Sequence, residues 1–391
     1  MSPIRRWPCG KPLFRLKSTR SAPDTRRVDR LPAHLPPFSN ASHPPEGLCT
    51  MQPTTPPIDL TTLTRWITEA AVQHGADLPQ YLASCLDISA RRTDTVLQQL
   101  VGLQWLTTTD LGDERRFLPG ALRQVVKRYE LKGLHEDLPW RRDFAPCFEL
   151  PCEIARMAQH AFTELLNNAV DHSGGTAATV SMRQTPLQVQ LLVSDDGCGL
   201  FERIATSFDI PDPQLALLEL CKGKLTSAPR QHSGYGLFFT SQLADVFDIH
   251  ANAQAFQRRA WERLQWRTGR HATQTGTSIY LALQLDSTRT LDEVLRAHSL
   301  NQDSMNFERT VVPMHLLGSA QVLASRADAK RAVARLSQFR RAEIDFAGIT
   351  DVGHGFADEM FRVFCRDNPG TELVPVGMNA QVAAMVHSVS A

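Results

Sequence analysis

The feature that most constrains this chain is an amphipathic helix expected from Cys152 to about Val170, which carries a second, polar edge. Its buried stripe consists of apolar residues at helical spacing: Ile154, Ala158, Ala161, Leu165 and Ala169. Glu164, Asn168 and His172 follow one another in steps of four, and four residues rotate a helix by only about 40° beyond a full turn. A carboxylate, an amide and an imidazole so aligned suit a site that holds a metal and orients a water. Taken alone, this edge is more typical of a solvated helix surface.

Three glycine-containing turns follow the helix. The alternating strand 188–193 runs into Asp195-Asp196-Gly197-Cys198-Gly199, where Asp195 can accept a hydrogen bond from an amino group and the glycines let a flat ligand approach. Ser233-Gly234-Tyr235-Gly236-Leu237 then opens an apolar helix, whose exposed amides can bind an anion. Gly276-Thr277 precedes an alternating strand, 278–285. Each turn is common by itself, and the first could equally be a tight turn or a calcium loop.

In this order and spacing, the four motifs resemble the asparagine box and the three glycine boxes of the GHKL ATPases (gyrase, heat-shock chaperone, histidine kinase and MutL). The resemblance covers residues 151–285 and implies an α/β sandwich that binds ATP and Mg²⁺. By this resemblance Asn168 would be the metal ligand, and Glu164 would orient or deprotonate the nucleophile. Asp195 would bind the adenine amino group with support from Thr277. The other nucleotide-binding residues would be His172, Gly197, Gly199, Gly234, Gly236, Leu237 and Gly276.

The same resemblance makes residues 201–233 a mobile lid over the nucleotide. Lys222, Lys224 and Arg230 could reach phosphate from this lid, or they could simply be solvated charges. Residues 136–151 contain three prolines and are too short for the helical hairpin that carries the phosphoacceptor histidine of a sensor kinase. The asparagine box, Glu-Leu-Leu-Asn-Asn-Ala-Val-Asp-His, looks closer to that of the anti-sigma-factor serine kinases, and the chain after residue 286 barely supplies a gyrase-type transducer domain.

Residues 58–131 are expected to form a winged helix-turn-helix-like region. Helical patterns at 63–74, 78–86 and from Ser89 onward precede a hairpin that turns at 111–113. The third helix of such a module enters the DNA major groove, and Arg91 and Arg92, with Thr93 and Thr95, lie on its first turns. The alternative is a module that packs on its neighbour or binds protein.

The C-terminal residues 311–391 alternate between strand and helix patterns. Helices are expected at 327–339, 356–365 and 379–387, and strands at 343–346 and 372–376. Gly355-Phe356-Ala357-Asp358-Glu359 and its neighbours look like a family of STAS-like domains of unassigned function, which are often found behind GHKL modules in bacterial proteins. The phosphorylated Ser or Thr of STAS antagonists has no counterpart in Gly353-His354-Gly355-Phe356. Asp358, Glu359 and Arg362 could pair locally or face a partner.

Composition limits the remaining possibilities. Residues 1–57 hold twelve of the 24 prolines, so this segment is expected to be disordered. Its assigned start is expected to be wrong, with Met51 the true initiator. Residues 1–50 contain nine Lys/Arg and three Asp/Glu, which leaves 33 basic against 38 acidic residues elsewhere, so any DNA contact must be local. The eight scattered cysteines form no CxxC pair, and no stretch approaches 18 apolar residues. A cytoplasmic protein without a membrane span is expected.

Together these patterns predict an α/β (α+β) protein: a winged helix at 58–131, a GHKL domain at 132–290 with one strand in its connector 133–150, and a STAS-like domain. The function expected is that of a bacterial ATP-binding regulator, in which nucleotide controls dimerisation or domain docking and hence DNA or partner-protein binding. An anti-sigma-type serine kinase acting on a separate protein is the alternative. A third possibility is a non-enzyme that keeps nucleotide as a structural ligand.

Overall fold

The computed structural model describes residues 58–111, 114–135, 137–210, 215–225, 234–269, 274–301, 304–317 and 322–390. The disorder expected for residues 1–57 and the start expected at Met51 lie outside these ranges. Among the residues described, no helix combines the length and the apolar character needed to cross a membrane.

The N-terminal region, residues 58–119, contains four helices and a hairpin around a core of its own. The helices are α1 (Leu60–Leu63), α2 (Ile67–Gln73), α3 (Leu78–Leu86) and α4 (Ala90–Gly102), and the antiparallel hairpin joins β1 (Leu106–Leu111) to β2 (Glu114–Pro119). The helix expected at 63–74 is broken because Trp66 leaves helical geometry, with φ −134°. Ser89 caps α4 by its backbone conformation, without a side-chain hydrogen bond. The winged helix-turn-helix remains a prediction for this region.

The central region, residues 123–285, is built on a seven-stranded sheet in the order β3-β4-β5-β9-β6-β7-β8, in which all neighbouring strands are antiparallel. Its elements in chain order are β3 (Arg123–Glu130), α5 (Asp137–Pro139), α6 (Cys152–His172), β4 (Ala177–Gln184), β5 (Gln188–Asp195), α7 (Leu200–Ser207), α8 (Leu215–Lys222), α9 (Gly236–Leu243), β6 (Val246–Asn252), β7 (Gln254–Arg259), β8 (Trp266–Thr268) and β9 (Gln274–Gln284).

Helix α6 packs its apolar stripe on this sheet. All five residues expected in the stripe are buried, together with Met157, Phe162 and Leu166. Residues 123–130, which the expected bounds 58–131 include in the N-terminal region, form strand β3 and pair with β4 at the edge of the central sheet. The connector expected to hold a strand forms helical turns instead, because Trp140 and Phe144 pack against Phe162.

The C-terminal region, residues 309–390, has the strand–helix alternation expected, around a parallel sheet in the order β10-β12-β14. Helix α10 (Leu291–Arg296) leads into it. Its elements are β10 (Arg309–Pro313), β11 (Val322–Leu323), α11 (Arg326–Val333), β12 (Arg341–Asp345), β13 (Asp351–Val352), α12 (His354–Ala357), α13 (Cys365–Asp367), β14 (Glu372–Val376) and α14 (Ala380–Ser390), with a π-helical stretch at 358–364.

Helix α11 is shorter than the helix expected at 327–339. Ser325 caps its start as expected, accepting a hydrogen bond from the amide of Asp328 at 3.0 Å. The helix ends early because Ala334 leaves helical geometry with ψ 132°, and Arg335 then takes a left-handed backbone conformation with φ 64°.

The central and C-terminal regions share a hydrophobic core. Leu218 of α8 and Phe238 and Phe239 of α9 are buried in one cluster with Leu336 and Phe339 of the C-terminal region. Phe307, between the two regions, stacks on Phe238 with ring centres 4.7 Å apart. Because α8 and α9 also reach the cavity described next, the C-terminal region is packed directly behind it.

Candidate nucleotide-binding site

A cavity of about 290 Å³ opens beside α6, α7 and α9, at the ends of β5 and β9. It brings together nine of the eleven residues expected to contact nucleotide. These are Glu164, Asn168, His172, Asp195, Gly199, Gly234, Gly236, Leu237 and Thr277. The four sequence motifs, spread over more than a hundred residues, thus meet around one space.

The Asp195 carboxylate is held in a fixed orientation at the end of β5. Its Oδ1 accepts hydrogen bonds from the amides of Gly197 at 2.9 Å and Thr277 at 3.2 Å. Among the described residues no donor reaches its Oδ2, so one oxygen is available to a ligand's amino group. Burial raises the pKa of this carboxyl above its usual value, although the two amides oppose that shift. Apolar side chains, Val193, Leu200, Ile204 and Ile279, line the same cavity and suit a flat heterocycle.

Glu164 and Gly236 meet at the first turn of α9. A methyl group built on Gly236 would overlap the Glu164 carboxylate, so a larger residue here would displace that carboxylate. The first amides of a helix lack partners within the helix and favour anions. A carboxylate therefore lies beside a turn that can bind phosphate.

Asn168, one turn after Glu164 on α6, lines the cavity, and its Nδ2 is buried without a hydrogen-bond partner in the described part of the chain. A buried amide without a partner costs free energy, which a ligand would recover. A half-turn of the amide can present either its oxygen or its nitrogen. The residue therefore fits an oxygen ligand for a cation or a donor to phosphate.

The donor set fits Mg²⁺ only when the ion is shared with a nucleotide. In the described ranges, no group of three or more His, Cys, Asp and Glu side chains could hold a metal by itself. Mg²⁺ commonly takes one or two protein ligands and completes its shell with phosphate oxygens and water. Asn168 is the residue here that would serve in this way.

Gly197 and Gly276 are the two expected residues that do not line the cavity. Gly197 lies against the carbonyl of Ser173, and Gly276, with φ 88°, lies against the carbonyl of Asp195, so a side chain would clash at either position. They allow the loops around Asp195 to pack closely.

Two side chains that the sequence did not single out hold these loops together. Asp196 accepts hydrogen bonds from the amides of Thr176 at 2.7 Å and Ala177 at 3.0 Å, which lower its pKa to about 2. Asn252 donates to the carbonyl of Cys198 at 2.9 Å and accepts from the amide of Gly276 at 3.1 Å. A polar residue at the turn between two alternating strands was the only signal for Asn252.

The segment expected to be a lid contains helices α7 and α8, and residues 211–214 and 226–233, including Arg230, lie outside the described residues. Arg203 and Ser207 of α7, and Phe208 directly after it, line the cavity. The apolar spacing of Phe201, Ile204 and Phe208 could have predicted this helix.

Lys222 and Lys224, expected either to reach phosphate or to be solvated charges, instead bind groups of the protein itself. Lys222 is fully buried, and its Nζ donates to Glu219 at 2.5 Å and to the carbonyls of Arg331 and Ala334 at 3.0 Å each. Lys224 donates to the carbonyl of Gln338 at 2.6 Å and lies 4.5 Å from the ring centre of Phe339. Both ammonium groups are therefore committed to the C-terminal region.

The four residues expected to contact DNA bases differ in how exposed their side chains are. Arg91 is exposed and Arg92 half-buried on the first turn of α4. Thr93 is buried and donates to the carbonyl of Ser89 at 3.1 Å, so it cannot contact a base. Thr95 is exposed, and its hydroxyl donates to the carbonyl of Arg91.

A sheet covered by helices, with its glycine turns gathered around an oriented carboxylate, defines a nucleotide-binding α/β fold. Residues 153–287 match the family model described as histidine kinase-, DNA gyrase B- and HSP90-like ATPase, and residues 328–383 match that of a STAS-like domain of unknown function. The chain therefore contains a GHKL-type ATPase domain, which implies ATP binding, followed by a STAS-like domain. Among curated proteins, none matches the chain.

Proposed function

We propose that this chain is an Mg²⁺-ATP-dependent regulatory protein whose nucleotide state controls its binding of DNA or a partner protein. The observation that carries the proposal is the convergence of three unlike groups on one cavity: the oriented Asp195 carboxylate, the Asn168 amide without a partner, and the Glu164 carboxylate at the start of α9. An acceptor for adenine, a ligand for a shared cation and a base are what ATP turnover requires.

Each group has a separate task in this proposal. Asp195 Oδ2 accepts a hydrogen bond from the adenine amino group and fixes the base, while Asn168 holds Mg²⁺. The ion, when bound, neutralises phosphate charge. Glu164 accepts a proton from the attacking water or hydroxyl as its oxygen bonds to the terminal phosphorus and ADP leaves. The amides at the start of α9 bind the phosphates.

The tasks of Asn168 and Glu164 separate by mutation. Asn168→Ala should lose Mg²⁺-dependent ATP binding, measured by calorimetry, and keep its fold. Glu164→Gln should bind ATP but lose turnover by roughly 10²–10⁴-fold, because general-base catalysis typically contributes that much. Gln159→Ala, exposed on the same helix, is the control. ATP affinity unchanged in Asn168→Ala, or turnover unchanged in Glu164→Gln, would contradict these roles.

ATP carrying a labelled terminal phosphate distinguishes the three outcomes for the nucleotide. Release of free phosphate indicates an ATPase, and label on a protein serine indicates the anti-sigma-type kinase. Bound ATP with neither product indicates a binding module. The proposal predicts free phosphate that depends on Glu164.

Helix α4 would bind the DNA. Arg91 and Arg92 lie on its first turn, where a winged helix would contact bases. Changing both to Ala should weaken duplex binding by about 2–6 kcal/mol, since one good base contact contributes roughly 1–3 kcal/mol. Fluorescence anisotropy with genomic fragments at two salt concentrations measures this, with Arg340→Ala, exposed in the C-terminal region, as control. Wild-type protein that binds no DNA at low salt would leave a protein partner as the target.

A further inference from the structure

Arg335 belongs to the STAS-like domain, but its side chain lies against the central region. One guanidinium nitrogen, Nη1, donates to Oε2 of Glu219 on α8 at 2.7 Å. The other, Nη2, donates to the carbonyls of Gly223 at 2.7 Å and Lys224 at 2.8 Å. The side chain is only 15% exposed. The planar fork of an arginine can serve such a set of acceptors at once, which a lysine cannot do.

Arg335 holds the carbonyls of Gly223 and Lys224, and the next residue, Leu225, forms part of the cavity wall. Leu225 lines the cavity, and its amide donates to the carbonyl of Gly234 at 3.2 Å. Gly234 also lines the cavity, two residues before Gly236. Through residues 223–225, Arg335 therefore supports the loop that contains Gly234 and is expected to bind phosphate.

Arg335 touches a second part of the wall. Its guanidinium carbon lies 5.4 Å from the ring centre of Phe208, which lines the cavity after α7. Cation–π contacts form at such distances. One side chain from the C-terminal region thus contacts the segments that follow both α7 and α8.

A buried charge cluster fixes this arrangement. Glu219 accepts hydrogen bonds from Lys222 and from Arg335, and Lys222 also donates to two carbonyls of the C-terminal region. Two cations thus share one carboxylate, and both of them bridge the two regions. The left-handed backbone of Arg335, uncommon for a residue other than glycine, is a further sign that the surroundings impose its position.

We infer that Arg335 is a positioning residue of the nucleotide site, supplied by the STAS-like domain, and that ATP binding and the docking of that domain are thermodynamically linked. The inference rests on the proposed binding of ATP in this cavity. If the cavity wall is already ordered before ATP arrives, binding does not have to supply the free energy of ordering it. A substitution that disorders the wall therefore lowers the affinity for ATP. Linkage is reciprocal, so ATP must also stabilise the docked C-terminal region.

The test uses the full chain and titrates Mg²⁺-ATP into the wild type, Arg335→Gln, Arg335→Lys and the control Arg340→Ala. Arg335→Gln should weaken ATP binding by roughly 5- to 150-fold, the usual range of coupling between sites. Arg335→Lys should lie between the wild type and Arg335→Gln, because it keeps the charge and loses the fork. The Michaelis constant should rise while kcat changes little, since Glu164 is untouched. Arg340→Ala should match the wild type.

Hydrogen exchange on the wild type tests the reciprocal effect without any substitution. ATP should slow the exchange of amides in residues 329–338 of the C-terminal region as well as in 215–225. Wild-type protein that binds no ATP would overturn the proposed function and the inference together. ATP binding with the affinity of Arg335→Gln equal to that of the wild type, or with no slowing at 329–338, would overturn the inference alone.

Discussion

The regions on the two sides of the ATPase domain are attached to it in different ways. The N-terminal region keeps its own core and meets the edge strand β3 through polar contacts, among them Thr68 Oγ1 with the amide of Gln124 at 3.0 Å and the partly exposed pair Glu69–Lys127. The C-terminal region shares a core with α8 and α9 and buries the ammonium of Lys222 completely. One contact is made at the edge of the sheet, and the other continues the hydrophobic core.

This difference decides which neighbour can respond to nucleotide directly. Within the described residues, none from 58–119 lines the cavity, whereas Phe238 lines it and stacks on Phe307 in the core shared with the C-terminal region. A change in the cavity therefore reaches the STAS-like domain across two ring contacts, Phe238–Phe307 and Phe307–Phe339. It reaches the N-terminal region only through the sheet and β3. The first response to ATP is thus expected in the C-terminal region.

The largest expected effect compares a glutamate at each junction. Glu219→Gln leaves the buried Lys222 and Arg335 without their shared carboxylate, so it should destabilise the protein by about 3–5 kcal/mol, as breaking a buried ion pair does. Glu69→Gln, which breaks the pair with Lys127 at the N-terminal junction, should cost only about 0–1 kcal/mol. Urea denaturation, with the m-value as a check on the surface unfolded, measures both.

A double variant keeps the Glu219 prediction specific. Glu219→Gln combined with Lys222→Met removes one buried cation together with the anion, so it should recover part of the stability lost in Glu219→Gln alone. If Glu219→Gln and Glu69→Gln lowered the free energy of unfolding equally, the two junctions would not differ in how strongly their ion pairs stabilise the protein.

The second comparison uses one fully buried leucine from each flanking core. Leu82→Ala in the N-terminal core and Leu336→Ala in the C-terminal core should each cost about 2–5 kcal/mol, since both side chains are 0% exposed. Leu336→Ala should also weaken ATP binding, because Leu336 follows Arg335 and packs in the core shared with α9. Leu82→Ala should leave ATP affinity unchanged. Calorimetric titration below the melting temperature of each variant would contradict the comparison if both lost affinity equally.

The sequence predicted best what depends on neighbouring residues. The Asp195 turn, the stripe of α6, the bounds of α3 and strand β14 follow from local spacing and were correct. The hydrogen-bond partners of Lys222 and Lys224 could not be predicted from local spacing, because a basic residue beside a glycine turn is typical of phosphate binding. Their acceptors, the carbonyls of Arg331 and Gln338, lie more than a hundred residues further along the chain.

The smallest effect is expected from Asp196, which joins two loops within the central region and touches neither flanking core. Hydrogen bonds from the amide of Ala177 and from the hydroxyl and amide of Thr176 lower its pKa from the usual 3.8 to about 2. A lowered pKa in the folded state means that the carboxylate stabilises the protein above pH 3.8, and that this contribution is lost as pH falls from 3.8 through 2. Solvent screens the partly exposed group, so the change in melting temperature should be small.

Melting temperatures of the wild type, Asp196→Asn and the control Asp94→Asn, measured from pH 7 down to pH 2, test this contribution. Asp94 is exposed on α4 of the N-terminal region. At pH 7 the wild type should have a higher melting temperature than Asp196→Asn. The two melting temperatures should converge as the pH approaches 2, because a protonated Asp196 has lost the negative charge that strengthens its hydrogen bonds with both amides. Asp94→Asn should differ little from the wild type at pH 7. If the difference in melting temperature between the wild type and Asp196→Asn stayed constant down to pH 2, the asparagine side chain would be destabilising through its shape and not through the missing charge.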